Sequence, residues 1–77
     1  MFKVYLLNRI DFRGCNPIKV FALKDSAIFL KGECDISLKL ISQSEDPEIE
    51  FDLLKQFDKN AVYCDNIRYE IEEIQTE

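Results

Sequence analysis

The stretch SEDPEIEFDLLKQFDKN, residues Ser44 to Asn60, decides the fold class, because it carries signals for a helix and for a strand at once. Asp46, Pro47 and Glu48 read as an N-cap, a first helical position and an acid that complements the positive end of the helix dipole. Ile49, Leu53 and Phe57 recur at the i, i+4, i+8 spacing of one helical face. Against this, Glu48 to Leu53 alternates charged and apolar residues as a half-buried strand does, and Phe51 falls off the helical stripe. The cap chemistry and the good helix formers Leu54, Lys55 and Gln56 favour a helix over about 47–58. With that helix the chain is α+β; with a strand it becomes a small all-β barrel, the alternative.

Working outward, Phe2 to Asn8 places Phe2, Val4 and Leu6 on one face and Lys3, Tyr5 and Leu7 on the other, which predicts a strand. Asp11 to Pro17 gathers Gly14, Asn16 and Pro17 and reads as a loop. Ile18 to Leu23 and Ala27 to Lys31 are apolar runs separated by Lys24, Asp25 and Ser26, the pattern of two strands in a hairpin. A helix starting at Asp25 or Ser26 would be ended by Gly32 after about a turn and a half, too short to be stable alone. Gly32 to Asp35 then reads as a turn and Ile36 to Ser42 as an alternating strand.

Beyond the deciding stretch, Asn60 to Cys64 and Ile67 to Ile71 flank Asp65-Asn66, residues that tolerate the positive φ of a two-residue hairpin turn. That hairpin would set Val62 opposite Tyr69 and Cys64 opposite Ile67, and pair Tyr63 with Arg68 on the outer face beside Glu70 and Glu72. Glu72-Glu73-Ile74 breaks the alternation and predicts a bulge or strand end, with Gln75 to Glu77 as a frayed tail. The expected architecture is one domain over residues 1–77: an antiparallel sheet of five or six short strands with one helix packed on it.

Composition narrows the chemistry. A 77-residue chain removes only about 60% of its unfolded surface from water, leaving little for a deep pocket. Cys15, Cys34 and Cys64 are odd in number, widely spaced and without a histidine to complete a zinc site, so they read as small hydrophobes in a reducing compartment, and a cytoplasmic location is expected. The apolar run at the N-terminus is closed by Asn8, Arg9 and Asp11 before a signal sequence or membrane span could form. General acid-base work near neutral pH most often uses histidine, and there is none. Glu33 and Asp35 beside Cys34 would disfavour its thiolate. Neither an EF-hand spacing nor a glycine-rich phosphate loop is present. The expectation is a protein that is not an enzyme, with no catalytic residues, no cofactor and no metal.

Charge is unevenly spread. Residues 1–43 carry seven Lys/Arg and four Asp/Glu (+3), whereas residues 44–77 carry three and eleven (−8), giving the overall −5. An acidic second half disfavours direct nucleic-acid binding, whose affinity comes from neutralising phosphates. It suits a protein partner with a basic surface. The candidate partner-binding residues are Glu45, Asp46, Glu48, Asp52, Tyr63, Arg68, Glu70, Glu72 and Glu73, with Asp58 and Glu77 adding to the acidic field. The functional expectation is a small acidic inhibitor or regulator of a nucleic-acid-binding protein, of the kind phages encode against host nucleases and CRISPR complexes. The alternative is a structural subunit, down to a homodimer, that assembles through exposed sheet edges.

Overall fold

The computed structural model describes residues 2–64 and 66–76. Its elements run β1 (Phe2–Asp11), β2 (Gly14–Phe21), α1 (Lys24–Gln43), α2 (Pro47–Leu54) and β3 (Arg68–Thr76). The class is α+β: a three-stranded antiparallel sheet of order β2-β1-β3 carries two helices. Among the described residues, the five or six strands expected from periodicity reduce to three, and the single expected helix becomes two.

The first correction lies at the hairpin. Residues 11–17, expected as a loop, mostly belong to the ladder: β1 extends to Asp11, and β2 begins at Gly14 directly opposite it. Gly14 takes φ 101°, a conformation that side chains disfavour, and Arg13 donates its amide to Asp11 Oδ1 at 2.8 Å. Pro17 sits on an edge strand beside a bulge between Leu7 and Asn8, the two settings in which a sheet tolerates proline.

The largest correction is α1. The segments Ala27 to Lys31 and Ile36 to Ser42, expected as strands, and the turn expected at Gly32 to Asp35 all lie within one 20-residue helix. Ala27, Leu30, Cys34, Leu38 and Ile41 recur three or four residues apart and face the core, burying a continuous stripe. Gly32 costs a helix about 1 kcal/mol relative to alanine, too little to break one held along its length by that stripe. The alternation of Ile36, Leu38 and Leu40 arises because α1 is apolar on two faces: Leu38 packs inward while Ile36 and Leu40 point outward.

α2 begins at Pro47 with Asp46 as N-cap, as the sequence implies, although Ser44 Oγ rather than the Asp46 side chain completes the entry by accepting the Asp46 amide at 3.0 Å. Its helix ends at Leu54, and a turn carries the chain to Asp58 through amides of Phe57 and Asp58 donated to Leu54 O.

The C-terminal hairpin does not form. Residues 61–64 have no regular structure, and β3 pairs instead with β1: Tyr69 opposite Arg9, Leu7 opposite Ile71, Val4 opposite Ile74. The expected pairs Val62/Tyr69 and Cys64/Ile67 are therefore absent. β1 gives β3 a long template whose core-facing side carries the fully buried Leu7, which outweighs a short local partner. No break occurs at Glu72 to Ile74, since β3 pairs regularly to Thr76. Asn66 takes φ 63°, whereas Asp65 and Glu77 lie outside the described residues.

Leu7, Cys34, Phe51, Leu54, Ala61 and Tyr69 form the core, ringed by half-buried Ile18, Phe21, Leu30, Leu38, Ile67 and Ile71. Extents of 48 × 24 × 16 Å leave room for the sheet and one layer of helix, so the other sheet face is bare. It presents Leu6, Ile10, Val20 and Ile74 around the buried Asn8. Among the described residues, no helix is long and apolar enough to cross a membrane.

Candidate functional site

The residues singled out in the sequence fall into two groups. α2 holds the first. Its N-terminal turn presents Glu48, with Glu45 and Asp46 exposed just before it and Asp52 one turn further on. Successive turns of one helix put Glu48 and Asp52 on the same side. The chain returns past that side at residues 61–63, leaving a groove of about 510 Å³. Phe51, Ala61, Val62 and Tyr63 form its apolar floor, and Glu48, Asp52 and Lys55 line its rim.

Phe51 and Tyr63 meet edge to face, with ring centroids 5.5 Å apart and planes at 77°, the favoured aromatic geometry. Phe51 is buried, whereas Tyr63 keeps over half of its surface exposed. Lys55 places its ammonium 5.5 Å from the Phe51 ring centroid, so the groove's one cation is held by the floor. The fold thus brings Glu48, Asp52 and Tyr63 together around a partly apolar slot.

β3 holds the second group, and it is separate: α2 packs on α1 and not on β3. Arg68, Glu70 and Glu72 alternate along the bare face of the sheet, while Glu73 points to the helix side. Each is engaged within the chain. Arg68 Nε donates to Glu70 Oε1 at 3.1 Å, Lys3 pairs with Glu73 at 3.5 Å, and Asn8 Nδ2 donates to Glu72 Oε1 at 3.5 Å. Arg68 stands across from Ile10 and is not paired with Tyr63, because the expected hairpin is missing.

Asp58 needs a plain correction. It does not contribute to an acidic surface, being 2% exposed. Arg9 Nη1 donates to both of its oxygens at 2.7 and 2.6 Å, and the Tyr69 hydroxyl donates to Oδ2 at 2.9 Å. Arg9 Nε donates to Asp11 Oδ2 at 2.9 Å, and Arg13 Nη2 to the same oxygen at 2.8 Å. Hydrogen bonds from Arg13 hold the Asp11 carboxyl well below the usual range, with Arg9 adding to the effect. Burial lowers the Arg9 pKa, but the carboxylates of Asp58 and Asp11 outweigh it and the net shift is upward. Burial, then the Asp58 charge, pushes the Tyr69 phenol up. Burial, with Asp58, Asp35 and Glu33 acting in the same direction, pushes the Cys34 thiol up to about 12, so this fully buried thiol is no nucleophile near neutral pH.

The cluster joins β1, β3 and the turn after α2, and its role is to fasten that turn to the sheet. It also walls a second cleft of about 430 Å³ that Lys19 and Lys59 help to line, so positive charge gathers at the hairpin end of the molecule. Periodicity could have flagged it: Leu7, Arg9 and Asp11 share the core-facing parity of β1, and charges at such positions require partners.

Among the described residues, no group of three or more Cys, Asp or Glu is placed to hold a metal ion. Compared with protein-family models, curated proteins and solved structures, the chain matches none of them.

Proposed function

We propose that this chain is a small protein-binding module that receives a basic segment of a partner in the groove beside α2 and, by covering that segment, inhibits or regulates a nucleic-acid-binding protein. The observation that carries this reading is the convergence of Glu48, Asp52 and the exposed Tyr63 around one apolar floor. A Lys or Arg side chain laid there would bury its methylenes against Tyr63 and Val62 and set its charge between two carboxylates that have no ion pair among the described residues. Glu45 and Asp46 extend the same field along the approach to α2. The β3 acids are a weaker candidate surface, because Arg68, Lys3 and Asn8 already engage them.

Assembly through sheet edges is the less favoured reading, for an electrostatic reason. Antiparallel self-pairing of β3 about position 71 sets Glu70 opposite Glu72 at both ends, and about position 72 sets Glu72 opposite its own copy, which opposes edge-to-edge contact in those registers.

The test is calorimetric titration with an arginine-rich peptide at two ionic strengths. Glu48→Lys with Asp52→Lys should weaken binding about tenfold or more and flatten its salt dependence, while Glu70→Lys with Glu72→Lys should have the smaller effect. Equal losses in both pairs would reject the groove as the site.

A further inference from the structure

The outward face of α1 is exposed and largely apolar. At 100° per residue, Asp25, Ile28, Phe29, Gly32, Ile36, Lys39 and Leu40 fall within about 60° of the direction opposite the core stripe. Ile28, Phe29, Ile36 and Leu40 are all substantially exposed there. A helix that is apolar on both sides is one that expects to be covered twice. The accessible surface points the same way: 5419 Å² exceeds the roughly 4,900 Å² expected of a compact monomer of this mass.

What covers the face is indicated by its arrangement about Gly32. Ile28 and Ile36 stand four residues before and after it, and Asp25 and Lys39 seven before and after. Rotating a second copy by 180° about an axis through Gly32 sets glycine on glycine, each Ile28 beside an Ile36, and each Asp25 beside a Lys39. Both ends of such a contact carry opposite charges, and neither Asp25 nor Lys39 has an ion pair among the described residues. Gly32 itself has no role within the chain that requires glycine, since a Cβ there meets nothing within 4 Å. Its missing side chain matters only to something approaching from outside, and a crossing helix backbone is what a glycine between two isoleucines admits.

We infer that α1 is a homodimerisation surface, in which two copies cross antiparallel at Gly32 with Ile28 and Ile36 interlocked and Asp25 and Lys39 paired at both ends. This does not depend on the groove beside α2, whose lining residues all lie outside α1.

Sedimentation velocity over a concentration series tests it. The native chain should pass from monomer to dimer, and Gly32→Leu, which fills open space in the monomer, should abolish the dimer while circular dichroism shows the helices intact. Lys39→Asp should raise the dimer dissociation constant about tenfold, because two attractions become two repulsions. Asp25→Lys combined with Lys39→Asp should restore it to near the native value. A chain that stays monomeric at every concentration overturns the inference, as does a dimer that tolerates Gly32→Leu or that the exchanged charge pair fails to rescue.

Discussion

Asp58 and Asp52 lie six residues apart in sequence and do opposite things. Asp58 is buried against the sheet, with both oxygens bound by Arg9 and one also by Tyr69. Asp52 stands on the exposed side of α2 at the rim of a groove. What separates them is where the chain turns. The turn after α2 drives residue 58 down onto the sheet, where an unpaired charge would be prohibitively costly, whereas residue 52 remains in water and is available to a partner. An acid therefore contributes to the surface field only where it is not already paired in the interior, as Asp58 is.

The comparison is most severely tested by Asp58→Ala. Removing Asp58 strips both hydrogen bonds from the buried Arg9 Nη1 and leaves Arg9 to share Asp11 with Arg13, which should cost about 3–5 kcal/mol in urea unfolding. A loss under about 1 kcal/mol would mean that Asp58 is no more structural than Asp52. Tyr69→Phe removes only the hydroxyl bonded to the Asp58 carboxylate, and about 1.5–3 kcal/mol is expected in the same experiment.

pH sharpens the contrast. The folded-state pKa of Cys34 is raised from 9.0 to about 12 and that of Tyr69 is raised from 10.0, so the unfolded chain loses these protons first as pH rises. Their contribution is intact below pH 9.0 and declines above it, and thermal unfolding should show a falling midpoint on the alkaline side. Asp11 has the opposite sign: its folded pKa is depressed below 3.8, so its stabilisation is present above that pH and is lost as acid protonates it. Glu48→Lys with Asp52→Lys should change stability least, by within about 0.5 kcal/mol for each substitution in urea unfolding, because both side chains are exposed and unpaired.

Local chemistry was legible in the sequence and long-range pairing was not. Asp46-Pro47 fixes the start of α2, and the alternation of Phe2 to Asn8 identifies β1, since caps and pleats are written in adjacent residues. Ala27, Leu30, Cys34, Leu38 and Ile41 of α1 carry a helical spacing, but its second apolar face fills the intervening positions and mimics the alternation of a strand. The extended character of β3 is local, but its partner is not: Arg9 and Tyr69 are 60 residues apart, and nothing nearby in the chain announces their pairing. Of the candidate residues, Glu48, Asp52 and Tyr63 line one groove. Arg68, Glu70, Glu72 and Glu73 lie elsewhere, because their placement followed from a hairpin that does not form.

The most direct measurement is a backbone amide NMR titration of the isotopically labelled protein with an arginine-rich peptide. The groove account predicts that the largest shifts cluster at Glu48, Phe51, Asp52, Val62 and Tyr63, with Glu70 to Glu73 moving little and Asp58 not responding to charge. Shifts that are uniform over every exposed carboxylate, or that centre on β3, would contradict it.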